Sequence, residues 1–90
     1  MTAVADNRPF DVSVDRETLA RLTGREREVL RHLAKGESNR VLARNLGIAE
    51  RTVRAHVTSV VRKLDVGSRF EAGLVAFHHY AALAEESTSS

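Results

Sequence analysis

The chain of 90 residues contains no cysteine, which excludes disulfides and thiolate metal sites and fits a reducing compartment. No apolar run approaches the length of a membrane span. The opening Met-Thr-Ala-Val-Ala-Asp lacks the basic-then-apolar order of a secretory signal. The expected location is the cytoplasm, with no membrane partner. Catalytic patterns are missing too: no Ser-His-Asp arrangement, paired carboxylates or Gly-rich phosphate loop stands out. His78 and His79 are adjacent, so on a helix they point in different directions and form no metal-ligand pair. The chain reads as a non-enzyme with no cofactor and no metal. Its length allows one small domain with a modest core, which short, closely packed helices can supply.

What the sequence does have is positive charge in one place. Residues 1–21 hold three Arg against four acids, and residues 65–90 hold one Arg against four acids. Residues 22–64 hold ten Lys/Arg against four Glu, a balance of +6. A localised basic surface is the electrostatic footprint of a polyanion binder, although a solvated helical surface has the same composition. The same stretch contains a helix, a tight Gly turn and a second helix, apolar on one side and basic on the other, over residues 38–64. That order is the pattern of a helix-turn-helix, whose second helix enters a DNA major groove.

Along the chain, residues 1–9 are polar or small with one Pro and are expected to be disordered. Phe10, Val12 and Val14 alternate with Asp11 and Ser13, predicting a short extended arm, and Asp15 can cap a short helix to Leu22. Thr23-Gly24-Arg25-Glu26 has capping-box spacing and predicts a helix to about Lys35, stopped by Gly36. Glu26, Val29, Leu30, Leu33 and Ala34 share one face, of which the last four are apolar. Ser38 caps a helix from Asn39 to Leu46, which Gly47 ends with a positive φ. The next helix spans about Glu50 to Leu64, with Val53, Val57, Val60, Val61 and Leu64 as its buried stripe.

Ser68-Arg69-Phe70-Glu71 repeats the capping-box spacing and opens a last helix to about Ala84, followed by a disordered tail over residues 85–90. This helix is apolar on two sides. Phe70, Leu74, Phe77 and Ala81 form one stripe; Ala72, Val75, Ala76 and His79 form another. A small core covers one stripe, so the other implies a partner, most simply a second copy, unless the N-terminal arm wraps it. Gly73 lies mid-helix, and the close approach of a second helix would give it a reason. Phe70, Gly73, Leu74, Phe77 and Ala81 are therefore the candidate dimer contacts.

The runs Leu22-Thr23-Gly24-Arg25-Glu26-Arg27-Glu28-Val29-Leu30, Gly36-Glu37-Ser38-Asn39, Leu46-Gly47-Ile48, Thr52-Val53-Arg54-Ala55-His56, Lys63-Leu64-Asp65-Val66 and Ser68-Arg69, in this order, closely resemble the LuxR-type (GerE, NarL/FixJ C-terminal) DNA-binding domain. The resemblance covers residue 22 to about residue 80. It implies an all-α, four-helix helix-turn-helix domain over residues 22–84, after a short N-terminal arm at residues 1–21. It also implies a third helix in the major groove and a fourth that often dimerises. Two positions depart from the family: Ala49 stands where a Ser or Thr usually caps the recognition helix, and Val41 where a Glu usually completes a box with Ser38. No sensing domain fits into 21 residues, and the Met start favours a stand-alone regulator over a fragment of a larger one.

Arg54 is the leading base-reading candidate because an Arg fork matches guanine O6 and N7, with a phosphate contact as the alternative. Ala55, which could touch a thymine methyl, and Thr58 lie beside it, with passive surface as the equal alternative for both; the resemblance implies base contacts at these three positions. Ser38, Asn39, Arg40, Arg51, Thr52, His56, Arg62 and Lys63 are the candidate backbone contacts, Asn39 being at a helix N-terminus where free amides also attract phosphate. The resemblance suggests that Glu28 and Arg69 serve a structural ion pair. The function expected is a sequence-specific transcriptional regulator, binding double-stranded DNA as a homodimer. RNA polymerase or another LuxR-type regulator stands as a further candidate partner. The alternative is an interaction module that pairs with another LuxR-type regulator without reading DNA. The promoter-reading region of a sigma factor shares the Arg-Glu-Arg-Glu-Val-Leu start, but Leu64-Asp65-Val66 and the added last helix argue against it.

Overall fold

The computed structural model describes the backbone of residues 12–89 and the side chains of residues 12–80. The expected packing of Phe10 lies outside the described residues, as does the side chain of Ala81. Five helices follow one another: α1 (Arg16–Ala20), α2 (Gly24–Leu33), α3 (Asn39–Leu46), α4 (Glu50–Leu64) and α5 (Arg69–Ser89). There is no strand among the described residues. None of the described helices is long and apolar enough to cross a membrane.

Each helix begins where local chemistry favours it. The Asp15 carboxylate accepts from Thr18 N at 2.9 Å and starts α1. Thr23 and Glu26 form a complete capping box on α2, with Glu26 N donating to Thr23 Oγ1 and Thr23 N donating to Glu26 Oε1. Ser38 Oγ accepts from Val41 N at the start of α3. Gly47, at φ +67°, ends α3 in the left-handed region that a Cβ disfavours, and Ile48 N donates back to Ala43 O at 3.0 Å. Helix α4 starts at Ala49 with no side-chain cap, as the sequence predicts.

The second box differs from expectation. Ser68 Oγ accepts from Glu71 N, but the Glu71 carboxylate reaches past Ser68 to accept from Gly67 N at 2.7 Å. The far end of α5 differs as well. The helix continues to Ser89, whereas the polar residues from Glu85 onward predict a tail. From Leu74 to Glu86 the chain has no Gly or Pro and is rich in Ala, Leu and Glu, strong helix formers that carry the helix on.

Helix α2 packs against α4 and α5, and α3 packs against α4. Leu22, Val29, Leu30 and Leu33 meet Leu42, Val53, Val57, Val60 and Leu64, and α5 adds Ala72, Val75 and Ala76. These three are fully buried, so the second α5 stripe is the one turned to the core. The first stripe faces out: Phe70 is 71% exposed, Leu74 37% and Phe77 66%. Gly73 sits between the two. A Cβ there would lie 2.8 Å from the Leu33 carbonyl oxygen. The close approach that demands a glycine is thus to α2 of the same chain, which corrects the reason given for Gly73 as a dimer contact.

Candidate nucleic-acid interface

Helix α4 has its valines buried on one side, so its other side is fixed relative to the core. Arg51, Arg54, Ala55, Thr58 and Arg62 are exposed there. Positions 51, 55, 58 and 62 fall at i, i+4, i+7 and i+11, one stripe along the helix, and Arg54 flanks it. Thr52 and His56 are half-buried at its edge. Among the described residues, no carboxylate pairs with Arg51, Arg54 or Arg62. Three guanidiniums are therefore free to meet an anion. Ala55 puts a methyl between them, and Thr58 a hydroxyl.

The start of α3 adds to this surface. Ser38 and Arg40 are exposed, and Arg40 has no acidic partner among the described residues. Arg44, which sequence reasoning did not single out, is exposed one turn later; its place four residues after Arg40 was the available signal. Asn39 is half-buried, and its side-chain oxygen accepts from Arg69 Nη1. That bond leaves the Asn39 amide N–H groups as donors. Arg69 Nη2 also donates to Glu37 O at 2.9 Å, so α5 holds the turn that leads into α3. The Glu37 side chain is held from two other helices: His32 Nδ1 lies 2.7 Å from Glu37 Oε1, and Asn45 Nδ2 donates to the same oxygen at 3.2 Å. The His32 contact holds the Glu37 carboxyl below its ordinary pKa.

Lys63 turns away from the expected set. Its ammonium donates to Glu26 Oε1 at 2.8 Å and to Arg21 O at 3.3 Å. The physical reason is Glu26, a carboxylate only 5% exposed in an otherwise apolar face. Ser59 Oγ donates to Glu26 Oε2 at 2.6 Å, and Thr23 N completes the set. Burial alone would push this carboxyl up; the hydrogen bonds from Lys63, Ser59 and Thr23 outweigh it and bring it from 4.5 to about 2. Lys63 is therefore the counter-ion that makes a buried Glu26 tolerable. The expected structural pair also changes: Glu28 pairs with Arg25 at 3.2 Å, while Arg69 uses Asn39 and the Glu37 carbonyl.

This surface, an outward Arg stripe on the second helix of a Gly-turned pair, has the build of a helix-turn-helix reading head. A family model for bacterial regulatory proteins of the LuxR family (GerE) matches residues 20–76. The chain belongs to the LuxR family. It is 50% identical over 60 residues to the glycerol metabolism activator of Pseudomonas putida, a match covering 67% of this chain and 27% of that protein. It is 41% identical over 71 residues to the nitrate/nitrite response regulator protein NarP of Escherichia coli (strain K12), covering 79% of this chain and 29% of that protein. It is 42% identical over 62 residues to the uncharacterized transcriptional regulatory protein YhcZ of Bacillus subtilis (strain 168), covering 69% of this chain and 29% of that protein. The chain spans less than a third of the length of these curated relatives. LuxR-family proteins are regulators rather than enzymes, and these relatives are by name an activator, a response regulator and a transcriptional regulatory protein.

Proposed function

We propose that the chain is a sequence-specific DNA-binding regulator of transcription that lays α4 in the major groove. The observation that carries this reading is the outward set of Arg51, Arg54 and Arg62, with no carboxylate partner among the described residues, on a helix whose opposite side is locked into the core. Arg54, Ala55 and Thr58 read base edges; Ser38, Asn39, Arg40, Arg51, Thr52, His56 and Arg62 hold phosphates. In this reading the chain acts on double-stranded DNA in the cytoplasm as a homodimer through the exposed α5 stripe of Phe70, Leu74 and Phe77. A symmetric pair uses the same patch on both copies and favours an inverted repeat with half-sites about one DNA turn apart.

The test begins with selection of binding sites from random duplexes, followed by affinity measurement against salt. Arg54→Ala is expected to cost ~1–3 kcal/mol on the selected site and to relax the preference at its base. Arg62→Ala is expected to weaken all duplexes about equally and to flatten the salt dependence. Equal loss on every duplex for Arg54→Ala would remove its base-reading role. An affinity indifferent to both sequence and salt would remove the whole reading, and would leave pairing with another LuxR-type regulator as the function of the α5 stripe.

A further inference from the structure

A second surface remains outside this reading. The N-terminal segment, α1, α2 and α5 enclose an open cleft of about 630 Å³. Its floor is apolar: Val14 and Leu19 are half-buried, Leu22 and Leu30 buried. Its rim is cationic, with Arg16, Arg27 and Arg31 all exposed. Among the described residues no carboxylate lines it and none pairs with these three arginines. Tyr80 closes one wall, with its ring 5.9 Å from the Arg31 guanidinium carbon and its hydroxyl donating to Arg27 O at 3.4 Å. None of the outward α4 residues takes part.

We propose that this cleft binds a small amphipathic anion, with a carboxylate or similar head against the arginines and an apolar tail on the leucine floor. The volume is that of a small-molecule pocket, and the combination of apolar floor and three lining cations suits such a ligand. Guanidiniums with no carboxylate partner among the described residues, beside an aromatic face, give the head a charge-assisted, planar donor set, although Arg27 Nη2 already donates to Leu19 O at 3.4 Å. A purely apolar ligand would leave the cations unused, and a bare inorganic anion would leave the floor wet. The ligand would touch α1, α2 and α5 together, so it would brace the helix that carries the exposed Phe70–Phe77 stripe. The proposal is independent of whether α4 reads DNA.

The chain offers its own probe. Tyr80 is the single tyrosine, and there is no tryptophan, so tyrosine emission reports this cleft alone. The experiment titrates the full chain with octanoate below its micelle concentration, and with acetate and octanol as head-only and tail-only controls. Octanoate is expected to change Tyr80 emission saturably, with acetate and octanol each at least about tenfold weaker, the scale of one lost charge-assisted contact or of a lost tail. Arg31→Gln and Arg16→Gln are each expected to weaken octanoate about tenfold with helicity unchanged; Arg16 lies outside the core, so its variant keeps the test open if Arg31→Gln disturbs Tyr80. No saturable response, an equal response to octanol, or full binding by both variants overturns the proposal. Competitive displacement of octanoate by a short DNA duplex also overturns it, by making the three arginines phosphate contacts.

Discussion

Replacing Glu26 by Gln tests whether a buried charge, rather than a buried hydrogen-bond network, fastens α2 to α4. The amide can keep the geometry: its oxygen can accept from Thr23 N and Lys63 Nζ, and its nitrogen can donate to Ser59 Oγ if that hydroxyl turns round. What is lost is the ionised partner of Lys63. Bringing the Glu26 carboxyl from 4.5 to about 2 corresponds to ~3 kcal/mol in favour of the folded, ionised form. That lies at the lower end of the cost of breaking a buried pair, in keeping with a Lys63 side chain that is a quarter exposed. For a domain of this size the midpoint of thermal unfolding should fall by roughly 10–25 °C near neutral pH. The sign of the pH dependence follows from the lowered pKa. The advantage of the parent over Glu26→Gln is complete above about pH 4.5 and disappears as the pH falls toward about 2. Asp15 and Glu37, also held below their ordinary values, titrate in both proteins and cancel in the difference. Melts followed by circular dichroism across this range supply the test. A gap smaller than about 1 kcal/mol at neutral pH, or one that keeps its size throughout the acid range, would refute the argument. In the double variant with Lys63→Met the two losses should be far from additive, since each single change removes the same pair.

Gly73→Ala should destabilise the fold by about 1–3 kcal/mol in urea melts, although helix propensity alone would gain about 1 kcal/mol, because the new Cβ meets the backbone oxygen of Leu33 at 2.8 Å; a net gain in stability would contradict the α2–α5 spacing. Ala49→Ser should stabilise the fold by about 1 kcal/mol, read as a rise in melting temperature, since residue 49 already has the extended φ and ψ of a cap and lacks only an acceptor for the first turn of α4. Leu74→Glu should leave helicity intact and abolish cooperative binding to a duplex with two half-sites, because the side chain lies in the exposed stripe between Phe70 and Phe77; a folded variant that still binds cooperatively, with unchanged mass in solution, would remove α5 as the dimer surface.

The helix limits were legible because their signals are local. Thr23, Ser38 and Gly47 act on neighbours a few residues away: α2 begins at the Thr23 cap, and α3 begins at the Ser38 cap and ends at Gly47. The outward set on α4 was legible for a related reason: five apolar positions at helical spacing fix which side is buried, and the remainder must face out. Other features depend on partners far along the chain. Lys63 follows Arg62 in sequence and has the same charge, yet its partner is Glu26, 37 residues away. Only the oddity of a Glu within the Val29–Leu30–Leu33 face hinted at such a pairing. Gly73 was recognised as a site of close approach, but periodicity does not say whose backbone approaches, and Leu33 of the same chain is the answer. Glu71 has the spacing to close a box on Ser68, as Glu26 does on Thr23, but its carboxylate takes the amide of Gly67 instead. The cationic cleft was not legible at all, since Arg16, Arg31 and Tyr80 come from three separate helices.

Arg69 has a consequence for spacing on DNA. It stands at the first position of α5, next to Phe70, and binds both the Glu37 carbonyl and the Asn39 side chain at the entrance to α3. The start of the exposed apolar stripe and the α3 end of the proposed reading head are thereby tied directly to each other. In a dimer formed through that stripe, the distance between the two α4 helices is set by the shape of the domain rather than by a flexible linker. Such a pair works as a ruler. One inserted base pair moves a half-site by about 3.4 Å and turns it by roughly 34°, and a clamp at Arg69 gives the protein no slack with which to follow it.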